Sequence, residues 1–169
     1  MNPSPPWSEA ATEEDSGWMD RALGWARLAA RRGEVPIGAV IVSAERELLG
    51  GAHDGKEVFL EPTAHAEILA IRQAAAATGD WRLDDACLYV TAEPCPMCAG
   101  AIVHARIARV VYAAPNPRWG CCSGELNLLA QPRFNHRPMV VSGVRQEESA
   151  ALLRETFRRY RQERQAAEE

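Results

Sequence analysis

Two short stretches carry the residue types that do chemistry: His65-Ala66-Glu67 and Pro94-Cys95-Pro96-Met97-Cys98. Together they offer one imidazole and two thiols, three ligands of the kind Zn2+ takes. A structural zinc site closes its tetrahedron with a fourth side chain. A catalytic one leaves that position to water, which the metal acidifies toward neutral pH. Glu67, two residues past the histidine, is the nearby group suited to move that water's protons. Cysteines at i and i+3 share one face of a helix. Pro94 and Pro96 suit a helix lead-in and first turn, where a missing N–H is harmless, and a helix N-terminus favours the thiolate. Thr63 reads as the N-cap of a second helix with His65 and Glu67 in its first turn, so two helix N-termini are expected to converge on one ion. A lone Cys-x-x-Cys also reads as a redox pair. No second Cys-x-x-Cys exists for a ribbon or treble-clef site, and the adjacent Cys121 and Cys122 are poorly placed to chelate one ion together.

The elements that must position these residues follow from periodicity. Met19, Leu23, Ala26 and Ala30 recur at helical spacing over 16–32, and Gly33 ends the run. Residues 35–43 are β-branched and continuous, as in a buried central strand, and 47–53 read as its neighbour. A loop leads to a helix over about 64–78 with Gly79 just past its end. A strand over 86–92 runs straight into the helix that starts at Pro96. A strand over 108–113, a Gly/Pro/Cys-rich loop to about 124, a short helix near 126–129, a strand over 139–144 and a long helix from Gln146 complete the chain. Strands alternating with helices predict an α/β fold, a three-layer α/β/α sandwich around a mixed sheet of about five strands. Both ligand-bearing helices then begin at strand ends, where an open sheet has its ligand crevice.

The 169 residues suit one domain, expected over 16–165, after a disordered Pro-, Ser- and Glu-rich leader over 1–15 and before a tail over 166–169. Five cysteines, an odd number with at least two given to metal, argue against a disulfide framework and for a reducing cytoplasm. The start has neither the basic cluster nor the apolar run of a signal peptide, and no stretch is long and apolar enough to span a membrane. A formal net charge of −4 is not a nucleic-acid-binding balance overall. Much of the acid, however, sits at the two ends, in Glu9, Glu13, Glu14, Asp15, Glu168 and Glu169. The final helix carries Arg154, Arg158, Arg159, Arg161 and Arg164, and Arg118, Arg133 and Arg137 lie in loops. Such a rim either binds RNA phosphates or is a solvated helix face.

The pattern His-x-Glu…Pro-Cys-x-x-Cys is that of the zinc-dependent cytidine and nucleobase deaminases. Residues 34–39, 62–67, 88–95, 97–101 and 134–137 extend the likeness. From about Trp18 to about Arg161 the chain resembles the bacterial tRNA-specific adenosine deaminases. The resemblance implies a cytidine deaminase-like fold, a homodimer with one Zn2+ per subunit, and hydrolysis of adenosine to inosine at the wobble position of a tRNA anticodon stem-loop. Zinc-bound hydroxide would attack the carbon bearing the exocyclic amine, with Glu67 as proton shuttle. His65, Cys95 and Cys98 are then the metal ligands, Ile37 and Ala66 line the base site, and Asn116, Arg118 and Asn135 contact substrate. Trp119 reads as a base-stacking or a packing residue.

Two positions depart from the family. Its strand-end His-Asn or Trp-Asn pair is His53-Asp54 here, and its loop Asp is Asn116. An ionised Asp only accepts hydrogen bonds, whereas the purine N7 needs a donor. Asp54 must therefore be protonated through burial, bind another group such as a ribose hydroxyl, or simply cap a turn. The opposite exchanges at 54 and 116 leave the formal charge unchanged and are expected to compensate. Asp54 also favours an alternative, deamination of a free base or nucleoside of guanine or cytosine type. A non-catalytic zinc-stabilised RNA-binding module would have no need of Glu67.

Overall fold

The continuous apolar runs become the inner strands of a mixed sheet. In the computed structural model, which describes residues 7–124 and 126–168, the elements are α1 (Glu13–Arg31), β1 (Gly38–Val42), β2 (Leu48–His53), α2 (Lys56–Phe59), α3 (Ala66–Thr78), β3 (Cys87–Ala92), α4 (Pro96–Ala105), β4 (Arg109–Ala114), β5 (Met139–Ser142) and α5 (Gln146–Ala167). The strand order is β2-β1-β3-β4-β5. β1 is antiparallel to both β2 and β3, while β3, β4 and β5 are parallel. β1, β3 and β4 are buried along their whole length, as strands covered on both faces must be.

Side chains alternate between two cores, one on each face. Ala39, Ile41, Leu88, Val90, Val110 and Tyr112 meet Ala66, Ala70 and Ala74 of α3 and Ala99 and Ile102 of α4. Val40, Val42, Tyr89 and Val111 meet Met19, Ala22 and Leu23 of α1, with Leu152 of α5 alongside. The expected three-layer sandwich is therefore present. Two glycines set how closely the layers approach. A Cβ on Gly38 would stand 2.1 Å from the Ala22 carbonyl oxygen, and one on Gly50 would stand 2.7 Å from that of Ala70. α1 and α3 thus lie almost directly on β1 and β2.

The expected leader is too long. α1 starts at Glu13 under a capping box in which Thr12 and Asp15 bond each other's backbone N–H groups. Asp15 is buried and takes Nη1 and Nη2 of Arg109 at 2.6 and 2.9 Å, with the Tyr89 hydroxyl donating at 2.9 Å. Upstream, Trp7 is buried, donates Nε1–H to the Asp85 carbonyl at 2.8 Å, and lies under the Arg46 guanidinium. The first six residues of that leader, and Glu169 of the expected tail, lie outside the described residues. α5 runs on to Ala167, past the expected domain end.

Two further expectations change. The loop after β2 contains α2, a single turn. No helix forms over 126–129, where Leu128 donates its N–H to the Cys121 carbonyl and Asn127 Oδ1 takes the Ala130 N–H. Those bonds commit the backbone to a turn. Among the described residues no helix is long and apolar enough to cross a membrane.

Candidate active site

The site sits at one edge of the sheet. β1 begins where β2 and β3 end, since Gly38 pairs with His53 and Ala39 with Val90. Chain leaving β3 turns through Pro94 into α4, and chain leaving β2 returns through α2 into α3. His65 is the N-cap residue of α3 and Cys95 that of α4, each extended in backbone and neither using its side chain as a cap. Pro96 occupies the first helical positions of α4, and Cys98 follows one turn after Cys95. Thr63 is not the cap. It is exposed, and its hydroxyl bonds the Glu61 carboxylate.

Two helix N-termini thus point one imidazole and two thiols at a common centre, and their donor atoms all lie within 4.8 Å of one another. Nδ1 of His65 is 3.6 Å from Sγ of Cys95 and 3.5 Å from Sγ of Cys98. A tetrahedral zinc ion with usual Zn–N and Zn–S bond lengths sets nitrogen and sulfur about 3.6 Å apart. The donor set therefore fits such an ion without rearrangement. The Cys98 thiol bonds Cys95 and draws its thiol down to about 4, and the same bond pushes Cys98 itself far up. The bond to Cys95 raises His65.

Glu67, on the first turn of α3 beside Cys98, is only 4 % exposed. Burial pushes its carboxyl up to about 7, a range in which a carboxyl both takes and returns a proton. A divalent cation in the cluster would pull it back down. Ala66 is fully buried between these groups in sequence.

Ile37 and Asp54 stand side by side across the β1–β2 register, with the Asp54 N–H on the Ile37 carbonyl at 3.0 Å. Asp54 is 1 % exposed, and burial raises its carboxyl, against the opposing influence of Lys56 and the His65 ring. Lys56 Nζ lies 3.5 Å from Oδ2, and the Lys56 N–H reaches Oδ1 at 3.4 Å. His53 accepts from Arg32 Nη1 at Nε2 and gives its Nδ1–H to the Asp54 carbonyl.

The structure does not join every expected residue to the cluster. Oδ1 of Asn116 accepts from the N–H groups of Arg118 and Trp119, at 3.3 and 3.2 Å, so it closes its own loop. Its side chain bonds nothing at Asp54, whose charge partner is Lys56, and the expected compensation between positions 54 and 116 has no contact to act through. Asn135 is exposed next to His136, whose Nε2–H bonds the Ile107 carbonyl. Ile107 precedes β4, and β4 runs parallel to β3, which puts Asn135 at the opposite edge of the sheet, roughly 20 Å of strand away. Sequence reasoning misses two buried carboxylates at the mouth, Glu34 and Glu93. Glu34 accepts the N–H groups of Glu57 and Val58 at 3.2 and 2.8 Å and so holds the start of α2. Nothing in their local sequence marks them, because their partners, backbone N–H groups and the Ser123 hydroxyl, lie more than twenty residues away.

Deaminases stand among both the sequence relatives and the solved structures that resemble this chain. The family model of the MafB19-like deaminases matches residues 13–161. A tRNA-specific adenosine deaminase of Bacillus subtilis is 47 % identical, over 91 % of this chain and 95 % of that protein. One of Agrobacterium fabrum is 45 % identical, over 88 % of this chain and 97 % of that protein. Among solved structures, a tRNA:A34 deaminase studied for A-to-I editing at the wobble position superposes with a TM-score of 0.78 at 43 % identity, covering 82 % of this chain and 99 % of that one.

Proposed function

The chain belongs to the MafB19-like deaminase family, and we propose that it converts adenosine to inosine at the wobble position of a tRNA anticodon loop. The observation that carries this reading is the match of the His65, Cys95 and Cys98 donor separations to a tetrahedral zinc site, with a buried carboxyl beside it. The deaminase relatives, nearly full-length, support the substrate.

Nδ1 of His65 and the thiolates of Cys95 and Cys98 would hold one Zn2+ per subunit, which supplies Lewis acidity that makes water nucleophilic at neutral pH. Glu67 takes a proton from the attacking water and returns protons to the ring nitrogen and the departing amine, so that water and adenosine become inosine and ammonia. Ile37 packs on the base, and the backbone at Ala66 meets its edge. Asp54, whose carboxyl burial raises against the pull of Lys56, supplies in its protonated form the donor that the purine N7 needs. A single-stranded loop delivers its base without breaking a duplex. Arg118 meets the loop's phosphates. The protein works as a cytoplasmic homodimer, a reading supported by the partly open α4 face at Met97, Ala101 and Val103 and by five free cysteines.

The test is an assay of inosine and ammonia from the zinc-loaded protein on an A34 anticodon stem-loop, free nucleosides and free bases. Inosine in the stem-loop is expected. Ammonia from guanine or cytosine substrates alone would overturn the tRNA reading in favour of a free-base deaminase.

A further inference from the structure

Glu93 lies two residues before Cys95, is 5 % exposed, and takes no part in the metal cluster. Among the described residues, the four hydrogen bonds that its carboxylate accepts all come from one loop, the segment that follows β4. Oε2 takes the Asn116 N–H at 3.1 Å. Oε1 takes the N–H groups of Cys122 and Ser123, each at 3.0 Å, and the Ser123 hydroxyl at 2.8 Å. Gly120 closes the circle, since a Cβ there would stand 2.3 Å from Oε2. The loop is wrapped around a single carboxylate and fastened to it at both ends. Between those ends stand Arg118 and Trp119, both exposed, Trp119 to 67 %.

The same short segment also reaches the metal ligands. The Glu93 N–H extends the β3–β4 pairing by bonding the Ala114 carbonyl at 2.8 Å, and the Pro94 carbonyl takes the Cys121 N–H at 3.2 Å. Residues 93–98 therefore hold the loop at one end and two of the three metal donors at the other.

We propose that Glu93 is a positioning residue that fixes loop 116–123 beside the cluster, so that Arg118 and Trp119 form one wall of the substrate mouth. The guanidinium of that wall meets a phosphate and the indole stacks on an unpaired base flanking the reacting one. What the wall meets rests on the deaminase reading. The loop's dependence on Glu93 does not.

Glu93→Gln keeps the shape but turns one acceptor into an N–H donor that faces another donor. Hydrogen–deuterium exchange over 116–123 is expected to quicken about tenfold or more, with β3 and α4 as protected as in the unaltered protein and metal content still one ion per chain. On the stem-loop, KM should rise about tenfold with kcat within about twofold, the pattern of lost uniform binding. Gly120→Ala, which displaces the carboxylate from the other side, should reproduce this pattern and carries the test alone if Glu93→Gln does not fold. Unchanged exchange over 116–123, protection lost throughout the molecule in both variants, or a fall in kcat at constant KM would each overturn the assignment. If the unaltered protein acts on no RNA, the tRNA reading fails by itself, and the exchange and metal measurements still decide the role of Glu93.

Discussion

Glu67 and Asp54 are both buried carboxyls at the mouth of one site, and their surroundings assign them different work. Glu67 stands beside the donor atoms without being one of them. Glu67→Gln, which keeps its volume and removes the titratable carboxyl, should lower kcat by about 10²–10⁴-fold while metal content stays at one ion per chain, read by elemental analysis alongside the assay. Asp54 is raised by burial, so its protonated fraction falls as pH rises and the donor to N7 is lost with it. KM of the unaltered protein should therefore climb with pH, whereas Asp54→Asn, whose amide donates at every pH, should show a flat profile. Parallel profiles for the two proteins would take Asp54 out of base recognition. An acidic residue after a strand reads in sequence as a cap or a pocket residue alike, and Asp54 is both: it is enclosed as a pocket residue is, while its Oδ1 takes the Lys56 N–H as a turn cap does.

At the level of elements, what was legible depended on whether an element is made by its own residues. The helix starting at Pro96 and the one ending at Gly79 carry their punctuation in the chain, and they appear where expected. α2 has only four residues and no side-chain cap of its own. It stands because Glu34, more than twenty residues earlier, accepts two of its N–H groups, a partnership that no local pattern reveals. The reverse error, a helix at 126–129, comes from a brief apolar run whose backbone is instead bonded to Cys121 and Asn127. The candidate metal cluster was readable for the same reason as the long helices, since type and spacing suffice to single out Cys-x-x-Cys. The distance of Asn135 from the cluster could not be read in sequence, because it depends on which end of the strands its loop rounds. The close seating of α1 on β1 gives a direct check. Gly38→Ala forces a methyl against the Ala22 carbonyl and should destabilise the fold by about 1–3 kcal/mol, read as a lower urea midpoint at constant m-value.

Across the whole molecule, the buried pair of Asp15 and Arg109 ties the first helix to the fourth strand. Burial alone would raise the Asp15 carboxyl, but the bonds from Arg109, the Thr12 N–H and Tyr89 outweigh it and hold the group below its ordinary value of 3.8. Its stabilisation is thus fully present above that value and is lost as pH falls through the lower, folded one. Asp15→Asn leaves the Arg109 charge buried and should destabilise the protein by about 3–5 kcal/mol at neutral pH. In acid titrations followed by denaturant melts, the gap between the two proteins should narrow below pH 4. A constant gap would mean that the carboxylate charge contributes nothing. The pair spans 94 residues of sequence, and this sets an order of events at the ribosome. By residue 98 the growing chain holds all three residues of the candidate metal cluster, yet the helix it made first still lacks its counter-charge and the sheet lacks its fourth strand. A chain stopped at residue 105 should therefore show no cooperative melt even with zinc present. The candidate ligands are synthesised before the scaffold that can hold them is complete, and their thiols wait unsheltered until β4 and the elements after it arrive.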